Sequence, residues 1–416
     1  MAEPDPLALG QRAEAMIRAL AAISADEGRI TRLYLTPEHR RAADLVASWM
    51  TGAGLVVSED ALGTVRGRMG QAHDQRKRLL IGSHIDTVND AGAYDGTFGV
   101  IAGVLAAEHL IKSGSALPFD IDVLAFGDEE GSRFPATLLC SSAVAGHFDA
   151  HALQVESVDG VRLDAALRAY GKDTGRIAEA AYAVDEIAAY VEVHIEQGPV
   201  LERQDQTLGV VTAIAGQSRL IVTVIGEAGH AGTVPMPIRR DALAAAAEMT
   251  MALETIARDN SDDFTVGTVG KLNLAPGTAN VIPARVTFTV DLRSQTDVVR
   301  QAALTRFRDQ VQAIAERRRV TAWVERSHEA QAVPCAMMVQ DALAQAVQAL
   351  GGEGLRLPSG AGHDGQAIAR LCPIGMLFVR CRGGISHNPA EFCSVEDMGQ
   401  AIIALIGFVE RFSIPT

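Results

Sequence analysis

The sequence is poor in thiols, in aromatic rings and in positive charge. Five cysteines (Cys140, Cys335, Cys372, Cys381 and Cys393) occur in 416 residues, an odd number with no C-x-x-C pair. That argues against a disulfide framework and a thiolate zinc site, and it predicts reduced, mostly buried thiols in a cytoplasmic protein. Aromatics make up 5% of the chain, so the core must be built from aliphatic side chains. Lys and Arg number 37 against 51 Asp and Glu, a net charge of −14. An acidic balance of this kind argues against a general nucleic-acid or anionic-membrane binder, which needs a basic face. No uninterrupted apolar run reaches the roughly 18 residues of a membrane span. The opening MAEPDPLALG has acids and prolines where a secretory leader has a basic region, so no leader is expected.

What remains is an ordinary globular composition, 48% hydrophobic and 21% charged. At roughly 150 residues per domain the length implies two or three domains. The first half alternates strands and helices. Apolar strands at 79–84, 119–127 and 188–194 each end in polar residues, and 96–113 has helical spacing up to Gly114. This pattern predicts an α/β sheet with its chemistry at the carboxyl ends of the strands. The middle of the chain differs. A strand at 217–227, a helix at 238–258, strands at 264–274 and 280–292, a helix at 297–318 and a strand at 321–327 follow the order β-α-β-β-α-β of a ferredoxin-like domain. The α/β pattern then resumes, with a helix at 336–350, a strand at 374–380 and a helix at 394–412. Ser394 and Asp397 read as an acidic capping box on that last helix. The expected organisation is a catalytic domain from 1–214 and 330–416, with an inserted lid and dimerisation domain at 215–329.

Five polar clusters sit at strand ends or in glycine-rich loops. They are Gly82-Ser83-His84-Ile85-Asp86-Thr87-Val88, Tyr94-Asp95-Gly96, Gly127-Asp128-Glu129-Glu130-Gly131-Ser132-Arg133-Phe134, His194-Ile195-Glu196-Gln197-Gly198-Pro199, and Ser386-His387-Asn388-Pro389. Singly, each reads as well as a hydrogen-bonded structural residue or a solvated acid. Together they repeat one theme, imidazoles and carboxylates at the ends of apolar strands. Such donors without thiolate suit zinc, manganese or cobalt. Three histidines with two or three acids exceed one tetrahedral ion, and a pair of ions bridged by a carboxylate is the economical reading.

The chain resembles the di-metal aminoacylase and carboxypeptidase-type hydrolases. Within them it resembles the hydantoinase/carbamoylase group of N-carbamoyl-L-amino-acid hydrolases, allantoate amidohydrolases and β-ureidopropionases. The segments that carry the resemblance are GSHIDTV, GAYDGTFGV, GDEEGSRF, HIEQGPVLE, GHAGTVPM, GTANVIP, DLRS, SGAGHDGQ and SHNPAE, in that order over nearly the whole chain. It implies a di-metal exopeptidase-like α/β catalytic domain carrying an inserted ferredoxin-like α+β domain, and two divalent ions per subunit (Zn²⁺, or Mn²⁺ or Co²⁺). His84 and His194 match ligands of the first ion, Glu130 and His387 ligands of the second, and Asp95 the carboxylate that bridges them. Asp86 matches the acid that orients the His84 imidazole, and Glu129 the general base and acid. His230 matches a group that approaches the scissile carbonyl from the partner subunit. Gln197, Arg219, Asn280 and Arg293 match substrate-binding positions, with Gly362 and His363 in a loop at the pocket wall.

The resemblance thus implies hydrolysis of a ureido C–N bond in a small carboxylate-bearing substrate, by a homodimer formed through the inserted domain, with no nucleic-acid or membrane partner. N-carbamoyl-L-amino acids and allantoate both satisfy this pattern. An aminoacylase or exopeptidase would share the metal set, and a non-catalytic scaffold would lack one of these ligands. Bland readings stand beside several residues: a surface ion pair for Arg293, a solvated edge-strand residue for Arg219, and a structural loop residue for His363. Glu196 reads as either an orienting or a structural acid. His39, His73, His109, His147, His151 and His328 lie outside the motifs and read as ordinary.

Overall fold

The computed structural model describes residues 4–69 and 76–414, which leaves His73 outside the described residues. The chain divides into two compact units. One comprises residues 1–212, 335–357 and 362–416; the other comprises 213–334 with 358–361. The expected boundaries at 214/215 and 329/330 compare with 212/213 and 334/335. Residues 358–361 group with the second unit because Ser359 accepts from the Ala215 N–H and Gly360 from Arg293.

The first unit is built on a sheet whose strands run in the order Val56–Glu59, Val65–Met69, Asp120–Phe126, Arg78–His84, Ile187–Ile195, Ile374–Val379 and Leu208–Ile214. The four strands from Asp120 to Ile374 in that order are parallel to their neighbours, and the outer pairings are antiparallel. All four parallel strands are buried along their whole length on both faces, as near-continuous apolar runs predict. Their carboxyl ends deliver His84, the Gly127–Glu130 loop and His194 to one rim of the sheet. The helix Thr97–Ser113 packs on them, with Phe98, Ile101 and Leu105 against Leu79, Ile81, Val123 and Val191 in an aliphatic core.

Gly96, at the N-terminal end of that helix, has φ +65°, and a Cβ there would lie 2.4 Å from the His84 ring. The glycine therefore lets the helix start directly beneath the imidazole. The helix Val395–Arg411 is capped by Ser394, whose hydroxyl accepts the Asp397 N–H at 3.0 Å. The reciprocal half of the expected capping box is missing, because the Asp397 carboxylate instead takes a two-point contact from Arg380 at 2.8 and 3.1 Å.

The second unit has a five-stranded antiparallel sheet. In order it runs Thr321–Ala330, Gly216–Ile225, Arg285–Ser294 and Val266–Thr268, with Leu272–Ala275 also paired to the third of these. This is the ferredoxin-like arrangement that the β-α-β-β-α-β order predicts. The helices Ala242–Asp259 and Asp297–Arg318 bury Met249, Leu253, Leu304, Phe307 and Val311 against Leu220, Val222, Phe288 and Val290. Three local expectations shift. The first helix begins at Ala242 rather than 238, because Asp241 accepts from Leu243 N–H and Ala244 N–H and a short turn follows Pro235. The expected 264–274 strand breaks at residues 269–271 into two pieces. The next strand starts at Arg285, beyond Pro283, which has no N–H to give a ladder.

All five cysteines are free and buried. No helix among the described residues is long and apolar enough to cross a membrane.

Candidate active site

The parallel strands of the first unit bring His84, Asp86, Asp95, Glu129, Glu130, His194 and His387 together. Asp95 is central, and its two oxygens face different ways. Oδ1 stands 3.5 Å from His84 Nε2 and 3.1 Å from His194 Nε2, and Oδ2 stands 3.4 Å from His387 Nε2. His387 Nε2 is also 3.5 Å from Glu130 Oε2. Two sets of donor atoms close enough to share an ion follow, His84 with Asp95 and His194, and Asp95 with Glu130 and His387.

The chemistry of the donors fits divalent cations. His194 is 1% exposed, and its Nε2 is buried without a hydrogen-bond partner although it faces Asp95. A buried ring nitrogen left unbonded in a nest of carboxylates is what a cation site requires. The protonation pattern agrees. Burial pushes Glu129 well above the ordinary carboxylate range, with His84 opposing and Glu130 adding to the rise. Burial and then Asp95 push Glu130 up to about 7. Asp95 first, with Glu130 adding and burial opposing, pushes His387 up to about 9. Side chains that hold protons this firmly would release them to a cation.

Asp86 sits behind this cluster. Its Oδ1 is 3.4 Å from His84 Nδ1 and accepts the Glu129 N–H at 3.1 Å; its Oδ2 accepts the Glu130 N–H at 3.2 Å. Glu129, His84 and Glu130 lie close enough to face one ion or water.

Gln197 stands at the same centre. Its Nε2 donates to Asp95 Oδ2 at 2.7 Å, and its φ of +55° is a left-handed conformation unusual for a side chain of this type. His387 shares that conformation, with φ +53°. The His363 ring packs edge-on against His194 at 4.5 Å, and a Cβ on Gly362 would lie 3.7 Å from Glu129 Oε1, so this loop lies against the cluster. Glu196 is structural: it accepts the N–H groups of Val200 and Leu201 and so caps a short helix.

Arg219, His230, Asn280 and Arg293 belong to the second unit. His230 and Asn280 are neighbours, since Ala231 donates to the Asn280 carbonyl. His230 Nδ1 accepts the Gly232 N–H at 3.0 Å, which leaves Nε2 as the protonated, donating nitrogen of the neutral ring. Arg219 and Arg293 flank Asp291 beside an open groove of about 660 Å³ that Lys271 and Gly360 also line. The ion pair anticipated for Arg293 is present: Nε and Nη2 donate to Asp291 at 2.9 and 3.1 Å, and Nη1 donates to the Gly360 carbonyl at 2.6 Å. A guanidinium has five N–H bonds, so one remains on each Nη for a further acceptor.

The motif reading passes over two acids. Glu192 is fully buried and accepts from Ser83 Oγ, Tyr190 Oη and Gly365 N–H. Its position two residues before His194 on one strand was the available signal, because a period of two puts both on the same face. Glu391, in the quoted SHNPAE segment, accepts the Tyr94 and Asp95 N–H groups, and burial pushes its carboxyl up to about 7.

Comparison with known proteins gives the family. The family model described as "Peptidase family M20/M25/M40" matches residues 80–411. The chain is 43% identical to an N-carbamoyl-L-amino acid amidohydrolase of Geobacillus stearothermophilus, over 89% of this chain and 90% of that one. It is 41% identical to a probable allantoate deiminase of Oryza sativa subsp. japonica, over 96% of this chain and 87% of that one. The crystal structure of a hydantoinase/carbamoylase-family amidase from Burkholderia multivorans superposes with a TM-score of 0.90 at 32% identity, covering 96% of this chain and 97% of that one.

Proposed function

Because the chain belongs to peptidase family M20/M25/M40, and within it to the hydantoinase/carbamoylase group, we propose that it hydrolyses a ureido C–N bond, converting an N-carbamoyl-L-amino acid and water to the amino acid, carbon dioxide and ammonia. The observation that carries this reading is the divided Asp95 carboxylate, with one oxygen toward His84 and His194 and the other toward His387. In this reading His84 and His194 hold one divalent ion, His387 and Glu130 hold a second, and Asp95 serves both. Zinc, manganese and cobalt all suit these donors. When bound, such a pair lowers the pKa of a shared water and polarises a carbonyl.

The chain's own residues do the rest. Glu129 takes the proton of the attacking water and gives it to the leaving nitrogen. The carbamic acid or carbamate so formed loses carbon dioxide and frees the other nitrogen. Asp86 holds His84 and the Glu129–Glu130 turn in place. His230, offered from the partner copy, donates Nε2–H to the tetrahedral oxyanion, a contact worth about 3–4 kcal/mol. Arg293 binds the substrate carboxylate, and Gln197, Arg219, Asn280, Gly362 and His363 are the other substrate-binding residues of this reading.

The rice relative supports allantoate as a second reading, since allantoate also joins ureido groups to a carboxylate. A homodimer through the second unit is supported by the strand Leu272–Ala275, exposed along its length with Leu272 and Leu274 uncovered. Five free thiols support a cytoplasmic setting. The test is ammonia release from N-carbamoyl-L-amino acids, N-carbamoyl-β-alanine and allantoate side by side. Turnover dominated by an N-carbamoyl-L-amino acid supports the first reading, and turnover dominated by allantoate supports the second. Turnover of neither rejects both.

A further inference from the structure

Glu391 is buried at 5% exposure, and among the described residues it pairs with no cation. Its hydrogen bonds explain why it is there. Oε1 accepts the Tyr94 N–H at 2.7 Å and the Asp95 N–H at 3.1 Å. Ser386 Oγ stands within donating distance of Oε2 at 3.1 Å and of Asp95 Oδ2 at 2.7 Å, and its single proton is shared between the two carboxylates. The contacts close a ring: Asp95 backbone, Glu391, Ser386, Asp95 carboxylate. Asp95 is thus gripped at its amide and at its side chain by one segment that lies nearly 300 residues away in the sequence. The fit is tight. A Cβ on Gly92 would sit 2.2 Å from the Glu391 carboxyl carbon, so only glycine leaves room for the acid there.

The ring touches only one half of the cluster. Asp95 Oδ1 faces His84 and His194, which are carried by the strands Arg78–His84 and Ile187–Ile195 and need nothing from Glu391. Asp95 Oδ2 faces His387, which sits in the left-handed region one residue after Ser386. That histidine is half exposed and lies in a segment without helix or strand between the Arg382–Gly384 turn and the last helix. Its place relative to Asp95 is supported by Ser386 and Glu391, and by Gln197, whose Nε2 donates to Asp95 Oδ2 at 2.7 Å and to Ser386 Oγ at 3.2 Å.

We propose that Glu391, acting through Ser386, is a positioning residue that sets the Asp95 Oδ2 to His387 Nε2 separation and thereby the affinity of the second cation site alone. The inference rests on the reading of Asp95 as the ligand common to two ions. Glutamine in place of Glu391 keeps an oxygen for the two backbone N–H groups and offers an N–H to Ser386 Oγ, so it preserves the ring. Alanine opens it.

The test is a Zn²⁺ titration of the full-length, chelator-stripped protein, with affinities read by competition against a chromophoric chelator. Wild type, Glu391→Ala, Glu391→Gln and Ser386→Ala are compared, and Tm is measured for each. The wild type is expected to bind two equivalents. Glu391→Ala keeps one equivalent within about threefold of the wild type and weakens the other roughly 10–100-fold, the usual cost of removing a group that orients a ligand. Its kcat recovers at high metal concentration and its KM for substrate stays within about twofold. Glu391→Gln retains the second site within about threefold, and Ser386→Ala weakens it in the same direction as alanine at 391. Equal weakening of both sites, or no weakening in a variant with wild-type Tm, overturns the proposal. So does a glutamine variant as defective as alanine. If Glu391→Ala does not fold, Ser386→Ala and Glu391→Gln decide by the same criteria. A wild-type stoichiometry below two would reject the two-ion reading itself, a failure separate from any behaviour of Glu391.

Discussion

Asp86 Oδ1 accepts the Glu129 backbone N–H at 3.1 Å while standing 3.4 Å from His84 Nδ1. The other oxygen accepts the Glu130 N–H at 3.2 Å. Asp86 therefore holds the ring of a candidate ligand, through its main-chain carbonyl at 3.2 Å as well as its carboxylate, and its carboxylate holds the turn that carries both glutamates. Asp86→Asn keeps the shape but replaces one acceptor by a donor, which must then face an N–H group. A loss of roughly 10–100-fold in metal affinity or kcat is expected, with a Tm close to wild type. Metal titration and steady-state kinetics on the same preparation check it; unchanged values for both would deny Asp86 this role.

Glu129 and Glu130 are adjacent, yet their expected roles differ. Glu129→Gln should leave both metal equivalents bound and lower kcat by about 10²–10⁴, the usual contribution of a general acid–base group. Glu130→Gln should first lose metal. A Glu129→Gln variant that turns over at a substantial fraction of the wild-type rate would remove Glu129 from proton transfer.

Arg293 has three of its five N–H bonds committed within its own unit, to Asp291 and Gly360. Lysine there supplies charge without the planar, forked donors of a guanidinium. Arg293→Lys is expected to raise KM for ureido carboxylates by at least about tenfold, the scale of one lost charged hydrogen bond, with metal content unchanged. The control is an analogue in which the carboxylate is an amide: wild type and variant should treat it alike. A variant that discriminates the two as sharply as wild type would assign the carboxylate to another residue.

His39 gives a prediction about stability. It is fully buried, its Nδ1 lies 2.7 Å from the Tyr170 hydroxyl, and burial lowers its pKa to about 3. A histidine held neutral in the fold binds its proton only when the chain unfolds. Its contribution is therefore present above the unfolded value near 6.5 and falls as pH drops toward about 3. Other carboxylates titrate in that window, so the readout is a difference. The Tm gap between wild type and His39→Asn should narrow from pH 7 to pH 4; a constant gap would mean that His39 is not held neutral.

Much of this was legible in the sequence for identifiable reasons. The runs at 79–84, 119–127 and 188–194 are apolar throughout because both faces of the parallel sheet are covered, and their polar ends are where the fold gathers ligands. The ring of Glu391, Ser386 and Asp95 was not legible, because it depends on two segments nearly 300 residues apart meeting over Gly92, and no local pattern encodes that. Asp397 looked like half of a capping box because spacing alone cannot show that Arg380 competes for its carboxylate. The break at 269–271 is hidden in the sequence by flanking residues that favour strand on both sides. Arg293 was ambiguous between an ion pair and a substrate clamp, and only a count of its donors shows that the first leaves room for the second.

The most direct test of the account is ammonia release measured against metal equivalents. The chelator-stripped protein is titrated with Zn²⁺ or Mn²⁺ and assayed on N-carbamoyl-L-amino acids and allantoate, with N-acetyl-amino acids and dipeptides read by amine detection. The account predicts no turnover without metal, a rate that saturates at two equivalents per chain, and hydrolysis confined to the ureido compounds. Full activity in the stripped protein, or hydrolysis of the acyl or peptide substrates alone, would contradict it.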